Sequence, residues 1–199
     1  MELISLLHSS PLLFIGLVFA VGLLVGSFLN VVIYRLPVMM EREWQDQCAE
    51  LNGKEALNNE SFNLNVPRSR CPNCNHQITA LENVPVLSYL VLGGKCSQCK
   101  TGISLRYPLI EAFTGLLSGI IAWQFGFDWA CLGALLLTWS LIALSFIDID
   151  HQLLPDSITL PLLWLGITFN LSATYTDLHS SVVGALAGYL SLWLVFHAF

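Results

Sequence analysis

Charged residues are scarce in this sequence of 199 residues: only 11% are Asp, Glu, Lys or Arg, whereas 55% are hydrophobic. A chain of this composition has too little polar surface to cover a water-soluble globule of its size. The composition therefore excludes an ordinary soluble domain and predicts an integral membrane protein.

Long uncharged stretches mark the membrane segments. Four of them reach the roughly 17–25 residues that a spanning helix needs, and a fifth becomes long enough if its helix begins at Pro108 and includes Glu111. The first stretch is not expected to be a cleaved signal peptide, because no Lys or Arg precedes it and no small-residue cleavage site follows. We predict an all-α polytopic protein with about five transmembrane helices, around residues 11–34, 108–127, 129–147, 157–176 and 178–199.

Lys and Arg are absent from both ends of the chain. All eight lie between Arg35 and Arg106, in or beside one long polar loop. Because loops rich in Lys and Arg stay in the cytoplasm, we expect this loop to be cytoplasmic and the N-terminus to be periplasmic. In a topology of five spans, the first three would then bring residues 148–156 to the cytoplasmic face. We expect the lipid bilayer as a partner and no nucleic acid.

The sequence divides into an N-terminal transmembrane helix (residues 1–36), a cytoplasmic loop (37–107) and a second transmembrane domain (108–199). The first part of the loop is acidic and rich in Asn and Gln. It predicts a short amphipathic helix over residues 41–57 and no chemistry.

A small internal repeat occupies the second part of the loop, residues 68–107. The segments "RCPNCNHQI" and "KCSQCKTGI" each contain a CxxC pair. Disulfides are not expected in a reducing cytoplasm, and a redox CxxC would normally begin a helix in a βαβ pattern, which is missing here. Two CxxC turns can instead present four thiolates to one tetrahedral Zn²⁺. The predicted ligands of this structural zinc site are Cys71, Cys74, Cys96 and Cys99.

The segment between the two CxxC pairs, residues 78–94, is apolar and too short to span a bilayer. It predicts a helix that lies at the membrane surface or packs against the zinc site, and that ends at Gly93 and Gly94.

Two polar residues fall at membrane depth. Glu111 is expected near the positive end of a helix that begins at Pro108, where a carboxylate is stabilised and plays a structural role. Asn30, near the inner end of the first span, is expected to form a hydrogen bond between helices.

The stretch "DIDHQLLPD" (residues 148–156) places charge at a membrane edge. Asp148 follows "SLIALSFI" and is predicted in the last helical turn, where a carboxylate is costly and is a functional candidate. Asp150 would point about 200° away, so the two should not share a proton; Asp150 and His151 are expected to face water. Asp156 is expected to cap the next helix.

The combination of "GSFLNVVIYRLP", the paired CxxC motifs, "ALENVPVLSYL", "ISLRYPLIE" and "DIDHQLLPD" resembles the bacterial type IV prepilin peptidases. The resemblance implies an aspartic endopeptidase of the inner membrane that cleaves the leaders of type IV prepilins and type II secretion pseudopilins. It also implies N-methylation of the new N-terminus with S-adenosylmethionine, for which no residues can be named. In that family the first catalytic aspartate lies seven residues before the proline of this motif, and it corresponds to Asp148. The family's zinc-type cysteines correspond to Cys71, Cys74, Cys96 and Cys99.

One part of that family's pattern is missing. The second catalytic aspartate lies in a GxGD motif after the last span, and no Gly-Asp dipeptide occurs in this sequence. The resemblance thus predicts that the chain is a fragment or a truncated form, and that these 199 residues alone are inactive in proteolysis. The alternative is a non-enzymatic membrane adaptor that docks partners through its zinc loop.

Overall fold

The computed structural model describes residues 2–54 and 61–198, and this part of the chain is almost entirely helical, with no β-strand. The predicted all-α membrane fold is therefore confirmed. A short 3₁₀ turn covers Leu81–Asn83. The α-helices are α1 (Glu2–Ser9), α2 (Pro11–Leu51), α3 (Leu87–Val91), α4 (Arg106–Phe125), α5 (Trp129–His151), α6 (Asp156–Asn170) and α7 (Leu178–Ala198).

Among the described residues, four helices are long and apolar enough to cross a membrane, namely α2, α4, α5 and α7. The fourth predicted span, over residues 157–176, is shorter than expected. Helix α6 has 15 residues, or about 22 Å, against a hydrocarbon core of roughly 30 Å. It ends at Asn170, whose side-chain oxygen accepts the backbone N–H groups of Tyr175 and Thr176 at 3.2 and 3.3 Å. This amide turns the chain where hydropathy alone predicted a continuing helix.

The turn after α6 nevertheless carries the chain to the far end of α5. The hydroxyl of Tyr175 donates a hydrogen bond to the carbonyl of Ala130, the second residue of α5. Since α6 begins only five residues after α5 ends, α6 and its turn run antiparallel along α5. Helix α6 by itself is thus too short to be a span, and the turn extends the path of the chain along α5.

Helix α2 is longer than predicted. It continues through Pro37 to Leu51, about 62 Å in all. Residues 41–51 of the helix expected over 41–57 are therefore helical but belong to α2, and residues 55–57 lie outside the described residues. Proline usually interrupts a helix because it lacks the N–H that would bond to the preceding turn. Contacts on both sides of Pro37 offset this loss.

Those contacts come from the chain that returns along α2. The buried guanidinium of Arg35 donates hydrogen bonds to the carbonyls of Asn63 (2.9 Å) and Pro67 (2.5 Å). The ring of Phe62 lies against two cations, 5.6 Å from the guanidinium carbon of Arg35 and 4.4 Å from that of Arg42. Arg35 and Arg42 flank Pro37, so the returning loop braces the helix across its weakest point.

Small residues let α2 and α4 approach closely. A Cβ atom added to Gly22 would lie 2.4 Å from the Ser118 Oγ, and one added to Gly26 would lie 2.8 Å from the Glu111 Cα. Gly115 of α4 is equally tight against Leu23. This is the G-x-x-x-G packing by which membrane helices bring their backbones together.

Helix α5 completes a three-helix bundle with α2 and α4. The indole N–H of Trp139, in α5, donates a hydrogen bond to the buried Ser118 Oγ at 2.9 Å. Ile147, near the end of α5, and Ile110, in α4, are almost completely buried against residues of α2. The bundle therefore fixes the last turns of α5, where Asp148 lies.

Helix α7 is different, because none of its described residues is buried. A Cβ atom added to Gly184 or Gly188 would meet nothing within 4 Å.

Candidate functional site

Four cysteines meet in the segment between α2 and α4, which we call the cysteine insert (residues 68–105). The sulfur atoms of Cys71, Cys74, Cys96 and Cys99 all lie within 4.8 Å of one another. The Cys71–Cys99 and Cys74–Cys96 sulfur pairs are 3.6 and 3.9 Å apart. A tetrahedral ion with Zn–S bonds of about 2.3 Å separates its sulfurs by about 3.8 Å. The cluster can therefore hold a metal ion.

The two halves of the cluster repeat one local fold. In the first half, the Cys71 N–H donates to the His76 carbonyl, and the Asn75 N–H donates back to the Cys71 carbonyl, both at 2.9 Å. In the second half, Cys96 pairs with Thr101 and Lys100 in the same way. The residue after each second cysteine has a left-handed backbone, with φ of 56° at Asn75 and 60° at Lys100. The sequence repeat is thus also a structural repeat.

The pKa values of two of the thiols, Cys99 and Cys74, are shifted in opposite directions. Hydrogen bonds from the hydroxyl and backbone N–H of Thr101, with a further one from Asn73, lower the pKa of Cys99 to about 5. A hydrogen bond from the His76 N–H lowers the pKa of Cys74, but desolvation and the neighbouring sulfurs outweigh it and raise the pKa to about 11. Four thiolates crowded together repel one another, so a divalent cation is needed for all four to ionise.

Glu82 joins the two halves of the insert. Its carboxylate accepts the backbone N–H and hydroxyl of Thr79, each at 2.8 Å, and lies 3.2 Å from the His76 Nε2. Hydrogen bonds from Ser97 and Thr79 lower the pKa of Glu82 to about 2.

The predicted helix over residues 78–94 is mostly absent. Only the 3₁₀ turn at Leu81–Asn83 and the five residues of α3 are helical. The interruption falls at Pro85 and at Val86, whose φ is +60°. The Val86 N–H donates to the Glu111 Oε2 at 2.8 Å.

Glu111 and Asn30 both tie elements together at this end of the bundle. Glu111 is buried in the second turn of α4, which begins two residues before the predicted Pro108. Its structural role is to hold the cysteine insert through Val86. The Asn30 side chain donates to the Tyr107 carbonyl at 3.2 Å, which confirms the predicted bond between helices.

Asp148 lies in the last turn of α5, as predicted, and it is exposed. Its backbone carbonyl accepts the Gln152 N–H at 2.8 Å, where a left-handed residue ends the helix. Within residues 2–54 and 61–198, its carboxylate forms no hydrogen bond or ion pair. A carboxylate placed at a membrane edge without a partner is available for chemistry.

Asp150 has a partner, contrary to the expectation that it simply faces water. Its two oxygens accept bidentate hydrogen bonds from Arg106 at 2.9 and 2.5 Å. The Arg106 guanidinium carbon also lies 5.2 Å from the centre of the Phe146 ring. This pair joins the start of α4 to the end of α5, so Asp148 and the cysteine insert lie at the same end of the bundle.

Asp156 is the first residue of α6, and Pro155 occupies the cap position. The expected capping role is therefore wrong. The Asp156 carboxylate instead accepts a long hydrogen bond of 3.5 Å from the Thr159 hydroxyl and carries negative charge in the first turn, where the helix dipole favours it.

Three contacts at this end of the bundle were not predicted: those of Arg35 with residues 63–67, of Val86 with Glu111, and of Arg106 with Asp150. The third could have been found, because the topology places the start of α4 and the end of α5 on one side. For the other two contacts, no sequence pattern near the residues involved indicates that they meet.

Comparison with known proteins bears on the whole chain. Residues 20–125 match the model of the bacterial peptidase A24 N-terminal domain, and residues 135–199 match that of the type IV leader peptidase family. No solved structure matches.

Several curated proteins are also similar to this chain. A prepilin leader peptidase/N-methyltransferase of Stutzerimonas stutzeri is 54% identical over 98% of this chain and 68% of its own length. That of Pseudomonas aeruginosa is 53% identical over 100% of this chain and 69% of its own. The Neisseria gonorrhoeae protein is 57% identical over 87% of this chain and 62% of its own.

Proposed function

The chain belongs to the type IV leader peptidase family, and from this premise we propose that it is an aspartic endopeptidase of the bacterial inner membrane. Its proposed substrates are type IV prepilins and type II secretion pseudopilins, whose leader peptides it removes. The observation that carries the proposal is Asp148, an exposed carboxylate without a partner among the described residues, held by a rigid bundle at a membrane edge.

Hydrolysis of an amide bond by this mechanism needs two carboxylates with different protonation. One ionised aspartate takes a proton from the attacking water, while the other, protonated, donates a hydrogen bond to the scissile carbonyl. Asp148 supplies one of the pair. Asp150 is a poor candidate for the other because Arg106 already binds both of its oxygens.

The second carboxylate of the family's pattern lies in a GxGD motif, and no Gly-Asp dipeptide occurs in these 199 residues. We therefore propose that residues 1–199 do not cleave prepilins by themselves. Cleavage requires a polypeptide that also supplies the second aspartate.

Cleavage takes place at the cytoplasmic face in this proposal. All Lys and Arg residues lie between Arg35 and Arg106, which favours a cytoplasmic position for the cysteine insert and a periplasmic N-terminus. The Arg106–Asp150 pair puts Asp148 on the same side as the insert.

The cysteine cluster is proposed to bind Zn²⁺ in a structural role. All four ligands come from the protein, which leaves no open position for a substrate or water. Bound zinc would hold together a segment that is too short to form a core of its own.

N-methylation of the new N-terminus, with S-adenosylmethionine as methyl donor, is proposed only because the relatives carry it in their names. No residue of this chain is assigned to that reaction.

A prepilin cleavage assay in membranes tests the peptidase proposal. It compares residues 1–199 with a longer version that includes a GxGD segment, each with Asp148→Asn or with Asp150→Asn as the matched control. We expect cleavage only by the longer version, its loss with Asp148→Asn and its retention with Asp150→Asn. Cleavage by residues 1–199, or by the longer Asp148→Asn variant, would contradict the proposed mechanism.

A further inference from the structure

Helix α3 of the cysteine insert has one apolar face that no described residue covers. At 100° per residue, Leu87, Leu90 and Val91 lie within about 100° of arc. Their exposed fractions are 61%, 67% and 85%.

The opposite face of α3 is occupied. Tyr89, about 200° around the helix from Leu87, packs over Gly94 and donates a 3.4 Å hydrogen bond to the Ile103 carbonyl. The insert therefore holds α3 by its Tyr89 face and directs the aliphatic face outward.

The depth of this face follows from its attachment to α4. The Val86 N–H, just before α3, donates to the Glu111 carboxylate. Glu111 is the sixth residue of α4, about 7.5 Å along the axis from Arg106, and its side chain leans toward the helix start. Because α4 has only 20 residues, nearly its whole length is needed to cross a hydrocarbon core of roughly 30 Å. Val86 thus lies beside the edge of the bilayer.

The charges around α3 suit a lipid surface. Residues 83–94 carry no charge; the exposed Lys95 follows directly, and the exposed Lys100 lies five residues further on. Neither lysine forms an ion pair within the described part of the chain. An apolar face with adjacent unpaired cations is typical of segments that lie in the interface of an anionic membrane.

The size of the face argues against a protein partner. Three aliphatic side chains offer on the order of a few hundred Å², below the roughly 800 Å² that each partner contributes to a stable protein interface. The bilayer that surrounds α4 is continuous with this face and needs no minimum area.

We propose that α3 is seated in the lipid–water interface, with Leu87, Leu90 and Val91 in the hydrocarbon boundary and Lys95 and Lys100 beside anionic headgroups. The cysteine insert is then fastened to the membrane at α3 as well as at its two chain ends. This inference depends on the membrane fold and not on the proposed peptidase activity.

Photo-crosslinking of the whole chain tests the seating. The chain is reconstituted in nanodiscs of phosphatidylethanolamine and phosphatidylglycerol, with p-benzoylphenylalanine in place of Leu90. The matched control carries the same photoreactive residue in place of Gln98, an exposed polar residue in the second CxxC turn. Mass spectrometry identifies the adducts, and the zinc content of each variant shows whether the insert is folded.

We expect several-fold more phospholipid adduct at position 90 than at position 98. Equal lipid adducts at the two positions, no lipid adduct at position 90, or adducts there to a second copy of the chain or to another polypeptide would each overturn the proposal. If the substitution at position 90 prevents zinc binding, the same residue at position 87 gives the same test with the same outcomes.

Discussion

Helices α2 and α7 carry the same G-x-x-x-G spacing in opposite surroundings. In α2, Gly22 and Gly26 lie against the backbone and small side chains of α4, with no room for a single added carbon. In α7, Gly184 and Gly188 face open space among the described residues. The spacing permits a close approach, but it becomes an interface only where the facing helix is also narrow, as α4 is at Gly115 and Ser118.

The contrast extends beyond glycine. We call α2, α4 and the cysteine insert the closed region, and the last turn of α5 together with α7 the open region. The buried polar groups Asn30, Arg35 and Glu111 of the closed region all have partners. In the open region the Asp148 carboxylate has none among the described residues. The buried polar groups of the first region are thus satisfied by partners, whereas the second region contains a carboxylate that is available for chemistry.

The largest effect is expected from removal of the metal, which should destabilise the closed region. Structural zinc contributes roughly 10–16 kcal/mol of apparent binding free energy in small peptides, so a chelator or Cys99→Ser should unfold the insert and open part of the closed region. Hydrogen exchange should show lost protection over residues 70–103 and unchanged protection in α5. Cys48→Ser, at an exposed cysteine outside the cluster, is the control. Unchanged protection of the insert after metal removal would refute the structural role.

A methyl group added to one glycine of each pair should change the stability of the two regions differently. Gly26→Ala forces a carbon to within 2.8 Å of the α4 backbone, and overpacking of this kind costs about 1–3 kcal/mol. Gly188→Ala and Gly16→Ala, where nothing lies within 4 Å, should leave the stability unchanged or slightly higher. Reversible unfolding in mixed micelles, followed by circular dichroism, measures the difference. Equal stability of Gly26→Ala and Gly188→Ala would show that the α2–α4 contact is not as close as described.

The two aspartates at the end of α5 provide a similar comparison with a smaller effect. Asp150→Asn should lower the free energy of unfolding by about 0.2–1 kcal/mol, the usual range for a partly exposed ion pair. Asp148→Asn should not, because it removes no contact among the described residues. The same unfolding assay applies, and the effect of Asp150→Asn should disappear in an Arg106→Gln background. A larger loss with Asp148→Asn than with Asp150→Asn would reverse the assignment of structural and functional roles.

The smallest effect is expected at the start of α7. The Asp177 carboxylate accepts the Ser180 N–H at 2.9 Å, and hydrogen bonds from the Ser180 hydroxyl and N–H hold the pKa of Asp177 below its usual value of 3.8. A lowered pKa in the folded protein means that this contribution is complete above pH 3.8 and is lost as the pH falls through the lower folded value.

Hydrogen exchange of the first turn of α7 measures this effect. Asp177→Ala removes the acceptor of the Ser180 N–H and should fray that turn at neutral pH. Asp177→Asn should keep an acceptor for this N–H and remove the pH dependence of the turn below pH 4. Identical exchange in the wild type and Asp177→Ala at pH 7 would show that the cap does not hold α7.

The sequence was informative where the signal is local. The duplicated CxxC spacing predicted the cysteine cluster, because ligands three residues apart in a tight turn converge whatever surrounds them. The position of Asp148 followed from the length of the apolar run before it. The membrane class followed from composition, and the helical class followed from the lengths of the uncharged stretches.

Other features depend on distant partners and could not be predicted. Pro37 predicts a helix end, and only the loop that Arg35 holds shows why α2 continues. Glu111 and Val86 are 25 residues apart, and nothing in either neighbourhood indicates their contact. The end of α6 depends on how the Asn170 side chain folds back onto residues 175 and 176, a choice that hydropathy does not report.

The buried Arg35 has a consequence for how this part of the chain can change. Among the described residues, its guanidinium donates hydrogen bonds only to main-chain carbonyls, those of Asn63, Leu64 and Pro67, and every residue type has such a carbonyl. The contact itself depends on the path of the backbone, which the Asn63 side chain helps to set by accepting the N–H groups of Asn65 and Val66. A lysine could not replace Arg35, since it has no planar fork to span several carbonyls at once. A single buried cation thus anchors this loop chiefly through the main chain of the loop.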